Sequence, residues 1–323
     1  MRLLSVHLSQ LQFTHFAAMG KLTGSMKLFA FPLTASRDLS IRRSGHRHPL
    51  IYYYAQMPKR STKSDEQPTL RKRAQEKISQ TWRNWGKAPG GWKLKVHTYG
   101  EKMVDRIDFE ELALASIDTS LGPKISQLGT HGSTGKELSE QQAKTHTVSI
   151  PLIYPPSFMS SVDPLVNLQE QLVLRSPLHR RKTWFWVGVI PLTAPFMLIP
   201  VIPNLPFFFC VWRAWTHWKA HKASSYLLEL SNNDAIHASP SEDLDEVYTK
   251  SLGLLPDSSK GVNNEHNELK VGSNIVQLLP NPTSTISHIV DAYSLSKEAE
   301  RSLLRAVDQA KIRSRFDEAK SES

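Results

Sequence analysis

Residues 184–212 read WFWVGVIPLTAPFMLIPVIPNLPFFFCVW, 29 residues without a charge that carry five prolines, Pro191, Pro195, Pro200, Pro203 and Pro206. The run exceeds the roughly 20 residues that span a hydrocarbon core as a helix, yet each proline removes a backbone donor and strains the turn before it. Trp184 to Ile199 would give about 24 Å of helix, kinked at Pro191 and Pro195. PVIPNLP (200–206) cannot continue a regular helix and reads as a turn. The sequence therefore predicts membrane insertion, either as two apolar limbs around that turn or as one kinked span.

The flanks favour the two-limbed form. Arg175, Arg180, Arg181 and Lys182 precede the block, and Arg213, Lys219 and Lys222 follow it. A single span usually shows a Lys/Arg bias to one side, so near balance suits two ends on the same face and leaves orientation open. Trp184 and Trp186 at the start of the block, and Trp212, Trp215 and Trp218 at and beyond its end, match an interfacial belt. With Arg180, Arg181, Lys182 and Arg213 they are the expected membrane-interface anchors. Within the block, Pro191, Thr193, Pro195, Pro200, Pro203, Asn204 and Pro206 are the candidate ion contacts or turn residues, since carbonyls freed by proline can coordinate a bare cation.

The rest of the chain is polar and unevenly charged. Residues 1–100 hold 18 Lys/Arg against 4 acids, and residues 231–323 hold 10 against 15. Before Pro49 the sole acid is Asp38, amid arginines, serines and leucines, the composition of a mitochondrial import segment. PTLRKRAQEKISQTWRNW (68–85) sets Leu70, Ala74, Ile78 and Trp82 at helical steps. Its basic, tryptophan-bearing surface comprises Arg71, Lys72, Arg73, Lys77, Trp82, Arg83 and Trp85, suited to anionic lipid or to RNA phosphates. A second helix is expected over about 99–119. SIPLIYPPSF (149–158) reads as extended, Asp163-Pro164 starts a helix, and a last helix runs from Ser296 to about Asp317.

The expected organisation is a presequence-like segment over 1–50, a basic soluble helical region over 51–123 and a flexible linker over 124–148. A membrane-associated core follows over 149–230, then a largely disordered linker over 231–285 and a C-terminal helical segment over 286–323. The expected fold is mostly α: an integral membrane protein with one proline-broken apolar hairpin, or kinked single span, between soluble amphipathic helices and disordered loops.

Several function classes are excluded or disfavoured. The single cysteine, Cys210, permits no intrachain disulfide. GTHGSTGKE (129–137) has the wrong glycine spacing for a phosphate loop and lacks Ser or Thr after its lysine. His217 and His221 stand four residues apart but have no carboxylate nearby in sequence to complete a metal site. No enzyme activity, cofactor or metal is expected.

PLHRRKTWFWVGVIPLTAPFMLIPVIPNLPFFFCVWRAWTHWKAHKAS (177–224), with MKLFAFPLTASR from Met26, YYYAQ, ISQTWRNWGKAPGGWKLKVHTYGEKMVDRIDFEE and VSIPLIYPPSF, resembles the fungal mitochondrial potassium-proton exchange-related protein family over about 26–230. The resemblance implies an inner-mitochondrial-membrane protein tied to K+ and H+ exchange and matrix volume. It also implies a start near Met26, with residues 1–25 an extension. An exchanger needs a titrating cation-binding group, usually a carboxylate or histidine, at membrane depth; 184–212 contains neither, and only Thr193, Asn204, Cys210 and the carbonyls freed by proline could touch an ion. The expected role is accessory or regulatory rather than that of sole transporter, in a homo-oligomer or exchanger complex on anionic lipid. The alternative is a membrane-anchored scaffold that binds mitochondrial RNA, ribosomes or anionic lipid through its basic, tryptophan-containing helix, with nucleic acid the less favoured ligand.

Overall fold

The computed structural model describes residues 22–36, 49–60, 70–125, 149–160, 162–193, 195, 205–253 and 275–321. In chain order these form β1 (Leu22–Thr23), β2 (Lys27–Pro32), β3 (Thr34–Ser36), β4 (Ile51–Gln56), β5 (Lys59–Arg60), α1 (Leu70–Gly86), α2 (Gly91–Asp105) and α3 (Phe109–Ser116). There follow β6 (Ile150–Tyr154), α4 (Pro156–Met159), α5 (Pro164–Thr193), α6 (Leu205–Asn232), β7 (Ile236–Pro240), α7 (Glu242–Ser251), β8 (Ile275–Gln277), α8 (Pro282–Ala292) and α9 (Lys297–Ser321). The described residues divide into two compact units, one within 1–25 and 58–99, the other within 26–57 and 100–323.

The larger unit is organised by β2. Its sequence KLFAFP is buried at every position after Lys27, because successive side chains point to opposite faces of a strand and both faces are covered. β4 pairs with it antiparallel, while β6 pairs with it parallel and in turn pairs parallel with β7, giving the order β4-β2-β6-β7. Leu28 and Ala30 face a core made with Leu168 and Leu172 of α5 and Ala220, Ala223, Leu227 and Leu230 of α6. Phe29 and Phe31 face the other core, made with Leu244 and Tyr248 of α7, Ile286 and Ile289 of α8, and Leu303, Ala306, Val307 and Ala310 of α9. α5 and α6 connect two neighbouring parallel strands, so their sheet-proximal ends are fixed in the core.

α3 lies across both cores, with Phe109 and Ala113 in one and Leu114 in the other. The single helix expected over 99–119 is instead α2 and α3, separated at Arg106–Asp108. The break is held from α9. Gln309 donates to the carbonyls of Asp105 and Ile107 at 2.8 and 2.7 Å and accepts from the Phe109 amide at 3.0 Å, satisfying groups the interruption would strand. Arg305 and Arg313 pair with Asp105 and Asp108 on either side of it.

In the smaller unit, α1 and the first part of α2 pack through aromatic rings. Trp82 lies 4.9 Å from His97 and 6.2 Å from Trp85, which meets Trp92 edge-on at 5.4 Å. The two-residue strands β1 and β5 pair antiparallel.

The expected integral membrane fold is overturned. The described protein is mostly helical with a four-stranded mixed sheet, and among the described residues no helix is long and apolar enough to cross a membrane. The physical reason lies in how the charge-free block is divided. α5 contributes an uncharged end, Thr183–Thr193, and α6 an uncharged start, Leu205–Trp212. At ~1.5 Å per residue these are about 16 and 12 Å long, against a hydrocarbon core of about 30 Å. The remainder of both helices carries charge and packs on the sheet. Most of the expected turn, 200–204, lies outside the described residues.

Other stretches also take a different form. Met26–Leu33, inside the segment read as presequence-like, holds the central strand, while residues 1–21 and 37–48 lie outside the described part. Of the 124–148 linker only Lys124 and Ile125 are described, and GTHGSTGKE lies outside. Within 231–285, β7, α7, β8 and the start of α8 are ordered elements, and 254–274 lies outside.

Because β2 is buried on both faces, Phe29→Ala lowers stability in denaturant unfolding by about 3–5 kcal/mol. Phe185→Ala, on the exposed end of α5, changes it by no more than about 0.5 kcal/mol. Equal costs at the two positions would contradict this placement.

Candidate functional site

α5 and α6 run antiparallel, and the pairs along their seam change character from base to end. Near the sheet Gln169 donates to Ser231 at 2.8 Å, and farther along Ser176 meets the His221 ring at 3.1 Å and Ser225 at 3.3 Å. Next come His179 and His217, Nδ1 to Nδ1 at 3.3 Å. Beyond them the seam is aromatic, with Trp186 edge-on to Phe209 at 5.6 Å and Phe209 against Trp212 at 5.9 Å.

α3 adds a carboxylate to the histidine level. Glu110 and Glu111 occupy its first turn, where negative charge suits the helix dipole, and Glu111 is buried. Arg213 donates to Glu111 Oε1 at 2.7 Å and, through its other terminal nitrogen, meets His217 Nε2 at 2.9 Å. His217 Nδ1 stands 3.5 Å from the same Oε1. The result is a buried cluster of Glu111, His179 and His217, roofed by one guanidinium.

The tautomers follow from these contacts. With Arg213 donating to Nε2, neutral His217 carries its proton on Nδ1, facing His179 Nδ1 and Glu111. His179 then accepts at Nδ1 and holds its own proton on Nε2, which is buried without a hydrogen-bond partner. Burial, and then the charges of Arg175 and Lys182, push His179 down to about 4. Burial, and then Arg213, push His217 down to about 3. Both rings are neutral near neutral pH. Beside them Glu110 pairs with Arg175 and with Arg313, yet burial outweighs both cations and raises its pKa. Glu110 also lines a cavity of about 30 Å³ with Tyr53, Leu168 and Arg175, room for one water.

The apolar end of the helix pair is the second feature. Trp184, Phe185, Leu192 and Phe208 are 69%, 62%, 73% and 57% exposed, and Val187, Val211, Trp215 and Trp218 are also open to solvent. Single exposed apolar residues are ordinary, but a group of this size marks an interaction surface. Arg180, Arg181 and Lys182 are exposed immediately before it on α5. On α6 the Lys222 ammonium lies 5.6 Å from the Trp218 ring centre, and the Arg213 guanidinium 5.8 Å from that of Trp212.

Of the residues singled out by sequence, the structure brings Trp186 and Trp212 into one half-buried seam and leaves Trp184, Trp215 and Trp218 exposed. Pro191 sits inside α5, and Thr193 closes that helix with its hydroxyl on the Ile190 carbonyl at 2.8 Å. Pro195 is exposed, Pro206 is exposed in the first turn of α6, and Pro200, Pro203 and Asn204 lie outside the described residues. On α1, Arg73, Lys77 and Arg83 are exposed, the side chains of Arg71 and Lys72 lie outside the description, and Trp82 and Trp85 turn toward His97 and Trp92. The Glu111–His179–His217 cluster was invisible to spacing, because its carboxylate comes from a third helix 102 residues before its arginine partner. The one available signal was His217 on a helix with Arg213 four residues earlier.

Comparison with known proteins places these helices in a described family. Residues 27–231 match the family described as mitochondrial K+-H+ exchange-related. An uncharacterized protein of Saccharomyces cerevisiae is 25% identical over 162 residues, 48% of this chain and 50% of that protein. An uncharacterized protein of Schizosaccharomyces pombe is 25% identical over 182 residues, 55% of this chain and 70% of that one. The matches thus span about half the length of the first relative. No solved structure matches.

Removing Arg213 strands a buried carboxylate, so Arg213→Ala costs about 3–5 kcal/mol in equilibrium unfolding. Arg213→Met combined with Glu111→Leu, which removes both charges, recovers most of that loss. A double variant no more stable than Arg213→Ala would show that the pair is not the buried couple described.

Proposed function

The chain belongs to the mitochondrial K+-H+ exchange-related family, and on that premise we propose that it is an accessory component of potassium-proton exchange, without enzymatic activity, docked on the mitochondrial inner membrane. The apolar ends of α5 and α6 contact the bilayer surface and the described helices do not cross it. The observation that carries this reading is the joint exposure of Trp184, Phe185, Leu192 and Phe208 at the end of the helix pair farthest from the sheet.

Two features favour an anionic bilayer as what covers that end. Tryptophan rings settle at the headgroup level, and Arg180, Arg181, Lys182 and Lys222 border the apolar group, where each cation near an anionic surface adds about 1 kcal/mol. Interfacial helices of this kind bury their apolar side about 5–10 Å into the headgroup boundary, a depth the short uncharged ends can reach.

An accessory role follows from what the helix pair lacks. The block 184–212 has no carboxylate or histidine to exchange H+ for K+. The adjacent buried histidines protonate only at about 4 and about 3, so near neutral pH they do not load and release protons. The aromatic side chains of the basic α1 pack on His97 and Trp92, which favours the lipid reading over stacking on RNA bases.

The test uses the full chain and floated vesicles of neutral phospholipid with and without an anionic component. The wild type co-floats with anionic vesicles, and the combination Trp184→Ser, Phe185→Ser, Leu192→Ser and Phe208→Ser weakens binding at least about tenfold without altering unfolding, since each side chain is exposed. In mitochondria lacking the protein, swelling in potassium acetate changes and is restored by the wild type but not by the variant. Unchanged vesicle binding by the variant sinks the docking; unchanged swelling on deletion sinks the link to exchange.

A further inference from the structure

We propose that Glu111, His179 and His217 constitute a binding site for a divalent metal ion of the zinc class, and that Arg213 competes with the ion for it. The donor set is two imidazole nitrogens and one carboxylate oxygen, the ligand chemistry that zinc takes in three-ligand sites. The three atoms lie within 4.8 Å of one another and all three residues are buried. Each comes from a different helix, α3, α5 and α6, whose positions the sheet core fixes.

Two of the three separations suit a shared ion, and the third, between His179 and Glu111, is within 4.8 Å. Two ligand atoms ~2.0–2.1 Å from a tetrahedral zinc stand about 3.3–3.4 Å apart. His179 and His217 present Nδ1 to Nδ1 at 3.3 Å, and His217 Nδ1 to Glu111 Oε1 measures 3.5 Å. The orientation of His179 is the independent observation. This ring is 4% exposed, its Nε2 has no partner, and its polar contact runs through the edge that faces the cluster. A buried N–H without an acceptor costs about 1–3 kcal/mol, which leucine or phenylalanine in the same volume would avoid. The nitrogen that converges on His217 and Glu111 is what histidine provides there and they do not.

Arg213 is the competitor. An ion on His217 Nδ1 moves that ring's proton to Nε2, where it would face the N–H of Arg213 now 2.9 Å away. A guanidinium beside a divalent cation is also repelled. Arg213 must therefore turn out as the ion enters, and it is placed to do so. Its side chain retains 13% exposure and already lies 5.8 Å from the centre of the Trp212 ring, a face that holds cations. Glu111 exchanges its hydrogen bond from Arg213 for the ion, so the carboxylate is never left buried alone.

Titration of the purified full chain with Co2+ and Zn2+ tests the site. The expected result is one equivalent of Co2+ with the strong visible bands of tetrahedral coordination, displaced by Zn2+. The bands are lost in His179→Ala and His217→Ala and kept in His221→Ala, whose ring faces Ser176 instead. Arg213→Ala binds about tenfold more tightly or better, a difference of about 1.4 kcal/mol, and its thermal unfolding temperature rises more with Zn2+ than that of the wild type. This last readout stands even if the histidine variants fail to fold. Absence of tetrahedral bands in both the wild type and Arg213→Ala overturns the proposal, as does equal loss of binding in His221→Ala.

Discussion

The structure depends on the burial of both faces of one short strand. Five consecutive residues of β2, from Leu28 to Pro32, are shut off from water, and a strand buried on both faces needs a helical layer on each. Phe29 and Phe31 draw α7, α8 and α9 to one side, while Leu28 and Ala30 draw α5 and α6 to the other. β6 and β7 continue the sheet in parallel, and parallel neighbours need a long crossover. α5 and α6 are that crossover, which roots both helices in the core.

That rooting gives the helix pair its two characters. Where α5 and α6 cover the sheet they are closed by leucine and alanine, and their seam carries serine, glutamine and histidine pairs. Past the level of Glu111 and Arg213 the sheet no longer covers them, and phenylalanine and tryptophan take over. The buried ion pair lies at this transition. Its guanidinium neutralises a carboxylate that burial would otherwise penalise heavily, and the same guanidinium lies against the first ring of the aromatic end.

Sequence periodicity made several helices legible. α1, the start of α5 and α9 were marked by apolar spacing and by proline or serine at their starts, signals local to each element. The sheet was not legible in the same way. LFAF of β2 is a short apolar run, which periodicity alone cannot assign, and it stands in basic, acid-poor sequence whose composition argued for an import segment. The apolar block misled for a different reason: two charge-free limbs around a proline-rich turn have the composition of a membrane-inserted hairpin, and composition does not show how short each limb's helix is. Among the described residues of the block, 184–193 and 205–212 are the short ends of two helices whose other ends carry the charges and the core contacts. The Glu111, His179 and His217 cluster was hidden by separation, since three residues on three helices converge only after the sheet has folded.

In the proposed docking, a helix pair rooted in a sheet-based core presents a short apolar end to a bilayer surface without crossing it. Depth-dependent quenching of tryptophan fluorescence measures this directly, with quenchers at shallow or deep acyl positions of anionic vesicles and variants retaining either Trp184 or Trp82 as reporter. The expected result is that Trp184 is quenched by the shallow positions and little by those at the bilayer centre. Strongest quenching of Trp184 from the bilayer centre would contradict it.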